Sequence, residues 1–167
     1  MLYRYFWLLP LLCLIIGFLS GCGDIRPLWK GSIKLEDYTM YYSEPCEYQV
    51  NLEHIGQATD AMLELVITYY VGTTRSELPL FIVLEDKNHK LSEFTTLVVL
   101  KAEGEWMGIP ESNEIDYTLT HIAIPHIQLE PEEYTLRVYA NDEEIESLYG
   151  VVNITARFYE TPPQSED

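Results

Sequence analysis

Apolar and polar side chains alternate through Tyr48-Gln49-Val50-Asn51-Leu52 and again through Thr118-Leu119-Thr120-His121-Ile122-Ala123-Ile124, a period of two that commits both stretches to strands. Successive strand residues point to opposite faces, so alternation buries one face and wets the other. The stretch Met62–Tyr70 is longer and rich in β-branched and aromatic residues. Leu80-Phe81-Ile82-Val83-Leu84 is uniformly apolar, too short for an ordinary helix, and entered through Pro79. It reads as a central strand covered on both faces. Asp86-Lys87-Asn88-His89-Lys90 is a turn by composition, and Thr95–Leu100 returns from it as a hairpin partner. Tyr134–Val138 and Gly150–Tyr159 complete the set, the second with Val152, Ile154, Ala156 and Phe158 on one face.

No amphipathic segment is long enough to require a helix, and the turns are short. These features predict an all-β fold, a single antiparallel β-sandwich of about seven strands. Ahead of one strand, Leu129, Pro131 and Tyr134 resemble the tyrosine corner of immunoglobulin-like and fibronectin-like sandwiches. The sandwich is expected over residues 47–160, with a tether over 22–46 and a disordered polar tail over 161–167. Trp29, Tyr38, Tyr41 and Tyr42 give the tether too many aromatics for a purely solvated linker, so pairing or packing near Tyr38–Tyr42 is expected. A helical turn is open for residues 142–149.

The first residues are of another kind. Arg4 supplies a positive start and Phe6–Leu19 an apolar run of signal-peptide length. The run is short for a spanning helix and is interrupted by Pro10 and Gly17. Leu19-Ser20-Gly21-Cys22 then resembles the cleavage and lipidation box of bacterial lipoproteins. That resemblance implies a signal peptide over residues 1–21, cleavage between Gly21 and Cys22, and acylation of Cys22. Two acyl chains already hold a protein stably on a membrane. The expected location is the cell envelope, on the outer membrane.

A net charge of −17 argues against nucleic acid as a partner and toward a protein, a glycan or a cation. With Cys13 in the leader and Cys22 acylated, Cys46 stands alone and reads as a small buried hydrophobe. Of His54, His89, His121 and His126, only His121 and His126 flank one strand end, and structural or solvent-facing roles fit them better than metal ligation. The acidic groups Glu130, Glu132 and Glu133, and Asp142, Glu143, Glu144 and Glu146, lack the spacing of a calcium loop and read as solvated turns. No nucleophile elbow or phosphate-cradling glycine loop is present in the sequence. The chain therefore reads as a non-enzyme with no catalytic residue, metal site or cofactor.

Contact surfaces are the remaining source of function. Lys101–Asp116 holds Gly104, Trp106, Met107, Gly108 and Pro110 without a period, and aperiodic loops in compact domains are often binding loops. Trp106 and Met107, with Trp29, are the candidate contact residues.

The order of these elements resembles the gliding-motility lipoprotein family GldH. The likeness runs from the lipidation box through Glu47–Leu52, Leu65–Tyr70 and Leu80–Glu85. It continues in Gly104-Glu105-Trp106-Met107-Gly108, Tyr134–Val138 and Gly150–Ile154, so it spans most of the chain after the leader. The resemblance implies a non-enzymatic, membrane-anchored accessory component of a gliding or secretion-associated envelope complex, acting through protein contacts. No catalytic residue is carried over with it. A glycan- or ligand-binding lipoprotein using the Trp106 loop is the alternative expectation.

Overall fold

The structure, a computed structural model, describes residues 26–113, 115–141 and 147–162. The leader, Gly21 and Cys22, the acidic run 142–146 and the end of the tail lie outside these residues. In chain order the strands are β1 (Trp29–Lys34), β2 (Thr39–Tyr41), β3 (Cys46–Asn51), β4 (Thr59–Tyr70), β5 (Glu77–Asp86) and β6 (Leu91–Val99). There follow β7 (Lys101–Ala102), β8 (Glu105–Trp106), β9 (Ile109–Pro110), β10 (Asp116–Leu129), β11 (Glu133–Ala140), β12 (Ser147–Tyr149) and β13 (Val151–Glu160). A single 3-10 turn, Glu36–Tyr38, is the only helical element among the described residues.

The fold is all-β and sandwich-like. One sheet has the order β1-β13-β4-β10-β9 and the other β3-β11-β5-β6, with every pairing antiparallel. Two short ribbons, β12–β2 and β7–β8, complete the pairings. The inward positions of β4 are Leu63, Leu65, Ile67 and Tyr69, and they meet Leu80, Ile82 and Leu84 of β5 and Leu136 and Val138 of β11 in one buried cluster. Each such aliphatic side chain contributes about 1.5–3 kcal/mol by leaving water. As its apolar run requires, β5 is a central strand, and Phe81 on its outer face packs on Tyr139 at 5.9 Å.

The sandwich begins before residue 47, because much of the segment expected to be a tether over 22–46 is strand. Trp29–Lys34 pairs with β13 from Trp29↔Phe158 to Lys34↔Asn153 and so belongs to the first sheet. Its alternation is hidden because the inward slot at Gly31 is filled by the neighbouring indole: a Cβ there would lie 2.4 Å from the Trp29 ring. Tyr38–Tyr42 does pair in part, since β2 runs against β12 with Met40 and Leu148 turned into the core. Ser147–Tyr149 is consequently strand where a helical turn was open.

Trp29 also closes one side of the sandwich. Its ring stands edge-on to Tyr48 of the facing sheet, with centroids 6.0 Å apart, and packs on Phe158 at 6.2 Å. The Tyr48 hydroxyl donates to the Ile154 carbonyl at 2.8 Å, joining the two layers. The ring is thus a lid on the core, half-buried, and not a free contact residue. The Trp29↔Phe158 register brings both ends of the described chain to the same end of the sandwich.

Where β10 ends at Leu129, Tyr134 makes the expected corner. Its hydroxyl accepts from the Glu130 amide at 2.7 Å and donates to the Glu130 carbonyl at 3.3 Å, pinning the turn into β11.

Candidate functional site

Opposite the Trp29 side the sandwich is open. Here β6 ends the second sheet, while β10 carries only the two-residue β9 beyond it. The two strands face each other with a groove of about 470 Å³ between them. Buried Val98 and Leu119 form its floor beside His121, and Leu97, Val99, Met107 and Ile109 stand around its mouth. Those four are exposed, Ile109 by 75% and Leu97 by 48%.

The segment after β6 builds one wall. Leu100 and Lys101 amides both bond to the Ser76 carbonyl, and the chain then turns through Glu103 and Gly104, both at positive φ. The result is a small β7–β8 hairpin where the sequence shows no period, because two-residue strands are too short to display one. Tyr69 holds the hairpin from below. Its one hydroxyl proton is shared between the carbonyls of Met107 at 2.6 Å and Leu100 at 2.9 Å, and burial pushes its pKa up to about 12. Gly108 lets β9 lie against β10: a Cβ at that position would come 2.4 Å from the Thr118 carbonyl oxygen.

Trp106 lies behind this wall. Its ring packs on Tyr69 at 5.8 Å and takes the Lys101 ammonium 4.9 Å from its centroid, so it is half-buried and engaged. Met107, the next residue, is the exposed one. Of the candidate contact residues in this loop Met107 is exposed and Trp106 is not, and Ile109 and Ile115, which are also exposed, carry no such signal in the sequence. Leu97 and Val99 were read only as strand residues. Nothing local distinguishes them, because they are ordinary strand formers that fall on the exposed face of β6 with Leu91, Glu93 and Thr95.

Beside the groove a 2.6 Å contact of Thr96 Oγ1 with His121 Nε2 links the facing strands. Burial lowers the His121 pKa, so the ring is held neutral and shares one hydrogen with the hydroxyl. His126 is not its companion: it faces out and meets Asp60 at 3.0 Å. Among the described residues no three His, Cys, Asp or Glu side chains converge as metal ligands. Glu132 is paired with Lys87 at 2.8 Å and Glu133 with Asn51 at 3.4 Å. Arg137 bridges Glu47 and Glu85 at 2.7 Å each across the outer face of the second sheet. Contacts from His89 first and Arg137 second hold the Glu85 carboxyl below its usual range. Cys46 is buried, and desolvation pushes its thiol up to about 11, which leaves it inert at neutral pH.

A second exposed cluster lies on the β2–β12 ribbon, where Tyr41 and Tyr149 share the outward face and Tyr149 meets Tyr70 edge-on at 6.2 Å.

No family model and no curated protein matches the sequence. Among solved structures, the chain is similar to one described as the structure of infectious bursal disease virus Gx strain. There it has 11% identity and a TM-score of 0.28, covering 83% of this chain and 34% of that one. It is also similar to a chain of the virus-like particle of the giant freshwater prawn Macrobrachium rosenbergii extra small virus. That match has 10% identity and a TM-score of 0.18, covering 84% and 86% of the two chains.

Proposed function

We propose that the protein is a non-enzymatic envelope lipoprotein that docks other proteins through the open side of an immunoglobulin- or fibronectin-like β-sandwich. One observation carries the docking: Leu97, Val99, Met107 and Ile109 crowd exposed around a single groove. Exposed apolar groups gathered in one place, with polar residues about them, mark contact sites. The Tyr134–Glu130 corner supports the sandwich type. The lipidation box supports acylation of Cys22 after cleavage at Gly21, and with it an outer-membrane anchor. The resemblance to the GldH family supplies the setting, a gliding or secretion-associated envelope complex. For the glycan alternative, Trp106 is poorly placed as a stacking platform, because Tyr69 and Lys101 already engage its ring.

The test is a photo-crosslinking amino acid at Ile109, at Leu97, and at Gln49 on a distant polar surface, each in the full-length protein in its own cells. Discrete protein adducts from positions 109 and 97 but not 49 are expected, and they should vanish with Met107→Asp. Equal labelling at all three positions, or none at 97 and 109, would remove the docking role.

A further inference from the structure

The backbone at the groove has a direction. Pro79 lacks an N–H, and its carbonyl accepts from the Asn141 amide at 3.0 Å, on the β11 side of β5. Its partner Leu97 therefore makes no ladder bond with it, and alternation along β6 follows from that position. Ser92, Phe94, Thr96 and Val98 turn their polar backbone toward β5. Leu91, Glu93, Thr95, Leu97 and Val99 turn theirs outward. The outward amides and carbonyls have no backbone partner among the described residues.

Edge strands are usually blunted by charge, proline or a bulge. The β1 edge follows this rule with Lys30 and Lys34 outward, and the β3 edge with Glu47, Gln49 and Asn51. The β6 edge does not. Its register with β5 is unbroken over nine pairs, it contains no proline, and its one charge is Glu93. Leu91, Leu97 and Val99 are exposed along it, and the apolar groove opens beside it.

The geometry points to strand addition: β6 pairs with an extended segment of another protein that alternates apolar residues, directed into the groove, with lysine or arginine directed outward. This rests on the docking reading above and specifies its mode. Main-chain hydrogen bonds would supply affinity, and the groove would select alternate side chains. Charge selects the partner's class. The chain carries −17, and Glu77, Glu93, Glu111 and Asp116 lie on or beside the strands that border the groove. Lys101, a cation beside the groove, is turned onto Trp106. A second copy brings the same −17 to the same edge and is repelled. The chain's own tail is acidic, and it leaves from the end of the sandwich where Phe158 meets Trp29, far along β10 from Ile109.

The test titrates the full-length protein in detergent with a fluorescent peptide of about ten alternating valines and lysines. Alternating valine and glutamate, and the valine–lysine composition in two blocks, serve as comparison peptides. Residue-resolved amide exchange is followed with and without peptide. The alternating cationic peptide should bind at least about tenfold more tightly than either comparison. It should slow exchange at Glu93, Thr95 and Leu97 by about tenfold or more while leaving Phe94 and Thr96, already bonded, unchanged. Leu97→Pro removes an outward N–H without costing a ladder bond, and it should abolish binding. Three results overturn the inference: no binding by about 1 mM peptide, binding without the alternate protection, or protection that rises with protein concentration alone, the mark of a second copy. The exchange measurement stands even if Leu97→Pro fails to fold. If any of these results occurs while adducts at Ile109 persist in cells, docking holds and strand addition falls; loss of the adducts removes both.

Discussion

The His121 imidazole and the Thr96 hydroxyl meet at 2.6 Å beside the groove, linking β10 of one sheet to β6 of the other. Because burial lowers the His121 pKa from its ordinary 6.5, the unfolded chain takes up this proton more readily than the folded one. The stability contributed by the neutral ring is therefore complete above about pH 6.5 and declines as the pH falls through the lowered value. Urea unfolding at pH 7 and pH 5 should show this loss. His121→Gln, which cannot titrate there, should flatten that part of the profile, and an unchanged slope would dissociate the ring from it.

Tyr134→Phe should keep the ring in place while leaving the Glu130 amide without its 2.7 Å acceptor. The expected cost is about 1–2 kcal/mol. In denaturant titrations it should appear as a lower midpoint at unchanged slope.

Tyr69→Phe tests how the groove wall is held. Removing the hydroxyl takes its donor from the Met107 carbonyl and leaves the Leu100 carbonyl with the Met107 amide alone, at a cost of about 1–3 kcal/mol. Exchange of the Met107 amide, bonded to the Leu100 carbonyl at 2.9 Å, should quicken more than that of the β4 core amides. Uniform quickening across the sheet would mean that the hydroxyl serves global stability alone.

Cys22→Ala should move the protein from the membrane fraction to the soluble fraction. Retention on the membrane would mean that residues 6–23 act as a spanning anchor.

The long strands were legible by different signals, β3 by its period of two and β4 by its length and β-forming residues, whereas bulges in β10 and β13 shift the period, so that Val151 and not Val152 joins Ile154, Ala156 and Phe158 in the core. The tyrosine corner was legible for a different reason, since its partners are four residues apart in sequence. Trp29–Lys34 was not, because an aromatic ring occupies the slot that Gly31 leaves empty and breaks the apolar count. Ribbons of two or three residues carry too few side chains for any period. The groove was hidden most completely. Leu97 and Val99 have the composition of ordinary strand residues, and only the fold shows that they lie on the uncovered face of β6 while Phe94 and Val98 take the inward one. For Trp106 the reverse holds: an indole beside glycines reads as exposed until Tyr69 and Lys101, distant or unremarked in sequence, are found against it.

The pairing of Trp29 with Phe158 has an architectural consequence. A lipid on Cys22 would fasten the domain by a leash seven residues before Trp29, at the end where both chain termini emerge. Ile109 pairs with Thr118 near the far end of β4, a strand whose 12 residues span about 40 Å at the usual rise. The mouth of the groove at Ile109 would then lie at the opposite end of β4 from the lipid, and only the Leu97–Val99 part of the open edge would share that distance.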